Sequence, residues 1–323
     1  MLKKKKLIQF TKNILPLLLG VFLIWYSLSS ATPVERKDLW NNILLADIKW
    51  VILSLFFGIL SHASRAYRWK FLLEPLGYKP LFANSFMAVM GGYLANLGVP
   101  RSGEVLRGAT ISTYENIPFD KAFGTIVSER IADLFMLLLI AIGGLLLQTE
   151  GLLAYFDDHQ INPFISIGVL LTAVLAGTFV LKLIKNSEHS FMVKIRNFAR
   201  GLLEGMKSIL KMKRKKEFIF HTVFIWFMYV MMFYVIKFAL PETTFLSITG
   251  IMAAFIVGTF AISTTNGGIG VYPIAMGAVL LFFGINQQAG EAFGWILWGS
   301  QTLLVIILGG FSLLFLPVFN QRK

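Results

Sequence analysis

Apolar stretches close to bilayer length recur along this 323-residue chain, and they restrict its fold more than any other feature. A helix needs about 20 mostly apolar residues to cross the roughly 30 Å hydrocarbon core, where every backbone amide must find its partner inside the protein. Residues 9–30, 48–65, 119–147, 163–184, 218–240 and 292–316 reach or approach that length. With 56% hydrophobic residues, the chain is expected to be an all-α polytopic integral membrane protein, one membrane domain over residues 1–323.

Charge supplies an orientation. Thirty Lys and Arg against 17 acids give +13. On a membrane protein this excess is read as cytoplasmic loops, and no nucleic-acid partner is expected. Cations at 3–6 and 12, His62 with Arg65, Arg68 and Lys70, eleven basic residues within 182–216, and the terminal QRK mark inner faces. The polar stretch 31–47 and the acidic TEGLLAYFDDHQ at 149–160 suit outer loops. The apolar run behind the N-terminal lysines is read as a retained first span, not a removable signal. Zero cysteines exclude disulfides, thiolate metal sites and thiol catalysis. His62, His159, His189 and His221 lack paired or HExxH spacing, so neither a metal, a cofactor nor a catalytic residue is expected.

Two stretches break the pattern. Residues 80–100 are apolar and run into GVPRSGEVLRG, then into a polar helix over 103–117 that carries Glu104, Arg107 and Glu115. If 80–100 crossed fully, the basic 182–216 segment would lie outside, against the positive-inside bias. Residues 81–117 are therefore expected to enter from the cytoplasm and return to it as a re-entrant helix pair. The stretch 244–284 is interrupted by STTNGGIGVYP at 263–273, and its last eleven apolar positions are about half a span. It is expected to enter from the opposite side. The predicted architecture is six full transmembrane helices plus two re-entrant helix pairs, which hints at the inverted-repeat arrangement of transporters. Both termini then lie in the cytoplasm, and the location is the cell inner (plasma) membrane.

Non-helical backbone at membrane depth is tolerated only where protein or water satisfies its amides, so GVPRSGEVLRG should line a cavity. Pro100 stops the incoming helix, Ser102 is read as the N-cap of the outgoing one, and Gly103 permits close approach. A helix N-terminus flanked by Arg101 and followed by Arg107 suits phosphate oxygens, which arginine's planar fork binds in pairs. SERIAD at 128–133 brings Glu129, Arg130 and Asp133 to the next helix, with the two acids four apart on one face. Ionisable groups at such depth are paired or functional. Without a ligand, Arg101 or Arg107 is expected to pair with Glu129 or Asp133. A structural reading stands beside this one: Arg101, Glu104, Arg107, Glu129, Arg130 and Asp133 form a salt-bridge cluster that only pins the hairpin.

At the second break, Asn266, Gly267, Gly268 and Tyr272, with Pro273 at the first helical position, either cradle a substrate with free amides or permit tight helix packing. Residues 185–216 form a basic amphipathic segment: Phe191, Ile195, Phe198, Leu202, Met206 and Ile209 recur at helical spacing, and the cations opposite suit anionic lipid heads of the inner leaflet. The tryptophans at 25, 40, 50, 69, 226, 295 and 298 are read mostly as interface anchors.

GYLANLGVPRSGEVLRG followed by FDKAFGTIVSERIADL, and later STTNGGIGVYP with a closing GW span, resembles the lysylphosphatidylglycerol synthase transmembrane region, also called the flippase-like domain family. In its bifunctional members this region is understood to move an aminoacylated phospholipid between leaflets, while a separate soluble domain performs the tRNA-dependent aminoacylation. No such domain follows in this sequence, so enzyme activity is not expected. The resemblance implies an anionic phospholipid or lipid-phosphate ligand, with Arg101, Glu104, Arg107, Glu129, Arg130 and Asp133 as the family's hallmark charges. The expected function is a lipid flippase or translocase that docks a headgroup phosphate at Arg101 and Arg107. Two alternatives remain open. A membrane enzyme acting on a polyprenyl phosphate or phospholipid needs a metal-binding carboxylate set, for which Asp157 and Asp158 are the one adjacent pair. A noncatalytic scaffold would serve enzymes of lipid or envelope biosynthesis.

Overall fold

The computed structural model describes residues 18–147, 193, 209 and 212–321, among which all regular structure is helical. The expectations for 149–160 and 163–184, and nearly all of those for 185–216, lie outside the described residues. The chain divides into two compact units, one comprising Met1–Glu129 and Lys216–Lys323, the other Arg130–Lys215.

In the first unit, α1 (Leu18–Ser30) and α2 (Pro33–Leu44) meet at a 117° bend. The expected outer loop at 31–47 therefore holds a helix, and its start is encoded locally. Thr32 Oγ1 accepts from the Glu35 amide at 3.3 Å, the Glu35 carboxylate accepts from the Thr32 amide at 2.7 Å, and Pro33 follows at a position that has no intrahelical donor to lose. Asp47 caps α3 (Ile48–Leu73), whose 26 residues run well past the expected end at 65. Its last turns bury His62, Arg65, Arg68 and Trp69. These side chains lie inside the protein, where the helices that follow pack over them.

The first broken pair is α4 (Phe82–Gly98) and α5 (Ser102–Glu115), 17 and 14 residues long, or about 26 and 21 Å. Neither covers a bilayer core. At their wide end Glu115 Oε1 accepts from the Leu81 amide at 3.1 Å and from Asn84 Nδ2 at 2.5 Å. Nearer the turn the backbones touch: a Cβ on Gly103 would overlap the Gly92 carbonyl oxygen and the Asn96 side chain, so glycine is required there. The helix α6 (Phe119–Leu147) begins in the first unit and continues into the second.

After α7 (Lys215–Ile236), the second broken pair is α8 (Ile248–Thr264) and α9 (Val271–Leu281), separated by a 3-10 turn at Asn266–Gly268. Gly267, Gly268 and Gly270 have φ of 64°, 85° and 74°, backbone that a side chain would strain. Pro273 stands in the third position of α9, not the first, where its missing N–H is still one the helix start would leave unused.

One helix seats both pairs. α10 (Gln287–Asn320) has 34 residues, about 51 Å of rise. Along it, Gly290 faces Gly277, Gly294 faces Pro273 and Met276, and Trp298 Nε1 donates to the Gly267 carbonyl at 2.7 Å. Further on, Gly309 faces Met90 and Leu94, Leu313 covers Gly91, and Asn320 and Asn84 exchange two 2.9 Å amide hydrogen bonds. Both α9 and α4 thus run antiparallel to α10, one on each half, and their loops meet between the seats, where Leu97 lies over Gly267. By length and composition α10 and Lys215–Ala239 can each cross a membrane, as can α1 and α2 taken as one bent segment, while α8 and α9 are shorter apolar helices.

Candidate functional site

A buried core of Trp69, Leu73, Ala88, Ile111, Ile117, Ala122 and Ile126 joins α3, α4, α5 and the start of α6. The charged centre of the unit is built against this core. Arg107 Nη1 donates to Glu129 Oε2 at 2.5 Å, with side-chain exposures of 4% and 0%. On its other oxygen, Glu129 Oε1 lies 3.7 Å from Nε of Arg68, also fully buried. A single carboxylate therefore engages two guanidinium groups, one from α3 and one from α5. Ion pairs so far from water are stable only where further contacts offset desolvation, and both arginines have them. The Arg107 guanidinium stacks 3.8 Å from the centroid of the Trp69 ring, whose Nε1 donates to Thr125 Oγ1 at 2.8 Å. Arg68 Nη1 donates to Thr222 Oγ1 at 2.9 Å and lies 5.1 Å from the Phe218 ring. Thr222 is itself anchored, donating to the Phe218 carbonyl at 2.8 Å.

Of the two arginines and two acids considered from sequence, the structure pairs Arg107 with Glu129. Arg101 is exposed in the turn between α4 and α5, in the left-handed region at φ 63°. It occupies the N-cap position expected for Ser102, because the turn is tight enough that Ser102 is already helical. The Ser102 hydroxyl instead donates to the carbonyls of Ala95 and Val99 at 3.0 and 2.7 Å, closing the end of α4. The Gly103 amide donates to Asn96 Oδ1 at 2.7 Å, so one amide of the α5 N-terminus is already engaged. Glu104 lies half-buried in the first turn of α5. In the second unit, Arg130 Nη1 lies 3.7 Å from Asp133 Oδ2, one turn along the same helix.

The second-break residues form their own arrangement. Asn266 and Gly268 are buried in the turn, and Gly267 offers its carbonyl to Trp298. Tyr272 is buried, its ring packed against Gly258 of α8. Thr265 Oγ1 donates to the Ile269 carbonyl at 2.9 Å and draws the loop together.

Sequence reasoning missed Arg68 and Thr222 as members of the charged centre, and it read Trp69 as an interface anchor although that ring is fully buried. Trp226 is buried as well. A signal for Arg68 was present: Arg65 and Arg68 lie one turn apart in a helix that carries apolar residues on either side of them.

A curated relative, a UPF0104 membrane protein of Methanocaldococcus jannaschii, is 38% identical over 88 residues, which are 26% of this chain and 26% of that protein. The chain thus spans about a quarter of the length of the curated relative it matches. No solved structure matches it. The family described as the lysylphosphatidylglycerol synthase TM region matches residues 13–310, nearly the whole chain and both broken helix pairs. This all-helical membrane protein belongs to the lysylphosphatidylglycerol synthase TM region family.

Proposed function

We propose that the protein binds the headgroup phosphate of an anionic phospholipid and passes it between leaflets without a catalytic step. The observation that carries this reading is the meeting of two oppositely seated broken helix pairs partway along α10, where Leu97 lies over Gly267. Irregular backbone in a membrane persists only beside protein or a polar cavity, and transporters use such half-helices at the midplane. Two lengths support a central depth for the charged site. Arg107 is eight residues from the wide end of α5, about 12 Å, and Glu129 is ten residues from the start of α6, about 15 Å. Each is near half of a roughly 30 Å core.

In this mechanism Arg101 meets the phosphate at the turn and Arg107 exchanges Glu129 for it. Asn266, Gly267, Gly268 and Tyr272 form the opposing face, and the acyl chains stay in lipid. The proposed topology is six full spans and two re-entrant pairs in the cell inner membrane, with both termini cytoplasmic. The basic 185–216 segment holds anionic lipid at the inner leaflet and offers a surface to an enzyme of lipid or envelope biosynthesis.

The test is leaflet exchange of a headgroup-labelled anionic phospholipid in vesicles holding the purified protein. Arg107→Ala, matched for folded protein, should reduce exchange at least tenfold. Undiminished exchange would sink the reading and leave the Arg107–Glu129 pair as a structural pin. Because the chain has no cysteine, single cysteines placed at Asp157 and Lys211 should react with an impermeant maleimide from opposite sides, the first outside.

A further inference from the structure

Arg68 and Arg107 share Glu129, but their surroundings differ. Arg68 is fully buried, and its guanidinium is fixed by the Thr222 hydroxyl, itself hydrogen-bonded to the Phe218 carbonyl. Arg107 stands six residues after the α4–α5 turn and rests face-on against the Trp69 ring. The two grips on the carboxylate also differ: 2.5 Å to Arg107 and 3.7 Å to Arg68.

We propose that Arg68 is the positioning residue for Glu129, closing on the carboxylate when an anionic phosphate group draws Arg107 away. The inference rests on the headgroup reading above and adds the step that reading lacks. Removing one partner of a buried ion pair is costly because the remaining charge is left in low dielectric. With Glu129 at 0% exposure, the exit of Arg107 is affordable only if another cation stays on the carboxylate, and Arg68 already lies beside Oε1. Ligand binding then becomes an exchange in which one carboxylate passes from two arginines to one and the phosphate takes the other. Arg68 never touches the ligand in this scheme and acts only through Glu129.

The scheme predicts a coupling that neither a direct ligand contact nor a general fold role would produce. The full chain is labelled with 5-fluorotryptophan in nanodiscs, and the Trp69 fluorine resonance is identified by its loss in Trp69→Phe. Dihexanoyl phosphatidylglycerol and inorganic phosphate are titrated separately, and the Trp69 shift reports Arg107 leaving the ring. In the wild-type background, Arg68→Gln should weaken binding at least tenfold. In the Glu129→Gln background, where no charge needs a partner, the same substitution should change binding by less than about threefold. Equal weakening in both backgrounds, or none in either, overturns the proposal. Should R68Q alone not fold, the E129Q and R68Q/E129Q pair still decides, since a tenfold difference between them overturns it. A response to both probes assigns the site to phosphate itself, a response to the lipid alone assigns it to a headgroup on its glycerol backbone, and both support the scheme. A wild-type resonance that neither probe moves overturns the headgroup reading together with this one. A responsive wild type without the Arg68 coupling overturns this one alone.

Discussion

The indole nitrogen of Trp298 donates a 2.7 Å hydrogen bond to the carbonyl oxygen of Gly267, so one side chain of α10 holds the loop at which the two broken helix pairs meet. Trp298→Phe keeps most of the packing and removes the bond. It should cost about 1–2 kcal/mol, read as a lowered thermal midpoint in detergent. It should also slow leaflet exchange, because the loop carbonyl loses its fixed partner.

Glu129 serves two buried guanidinium groups, so the acid should matter more to stability than either arginine. Arg107→Ala is expected to cost about 3 kcal/mol, since Glu129 keeps Arg68, whereas Glu129→Ala should cost about 5 kcal/mol by removing a partner from both arginines at once. Denaturant unfolding of the two variants tests the order. A larger loss for Arg107→Ala would contradict the shared-carboxylate geometry.

Arg101 offers a way to separate stability from binding. Its φ of 63° is strained for an L side chain but relaxed for glycine. Arg101→Gly should raise stability by up to about 1 kcal/mol while removing an exposed cation from the turn. A more stable protein with slower exchange of anionic lipid is the expected pairing. Faster or unchanged exchange would remove Arg101 from the binding site.

Close approach within the first pair predicts a sharp contrast between neighbouring glycines. Gly103→Ala drives a methyl group into the Gly92 carbonyl oxygen and should destabilise by about 2–3 kcal/mol. A Cβ on Gly98 meets nothing within 4 Å, and Gly98→Ala should stay within about 0.5 kcal/mol. Thermal unfolding of both variants measures the difference directly.

Both breaks were legible because Gly, Pro and Asn cluster where an apolar run should continue, and the cost of burying a lone charge called for an arginine–acid pair while leaving open whether Arg101 or Arg107 meets Glu129 or Asp133. Arg68 was hidden by its neighbours: beside Arg65 and Lys70 it resembled a cluster at a membrane edge, and only the packing of α5 and α7 around α3 reveals its partners. The helix at Pro33–Leu44 was legible in principle, since Thr32 and Glu35 have capping-box spacing, but the polarity of the stretch masked it. Ser102 defeated the capping rule because the turn before it is one residue tighter than the rule assumes. The seat of α4 on α10 has no local signature, because it depends on contacts more than 200 residues apart, such as that of Asn84 with Asn320.

That shared seat has a mechanical corollary. With α9 on one half of a single helix and α4 on the other, a tilt of α10 about its middle, near Gln301, carries the two seats in opposite directions. Raising one hairpin lowers the other. A substitution that stiffens either arm is therefore felt at both hairpins.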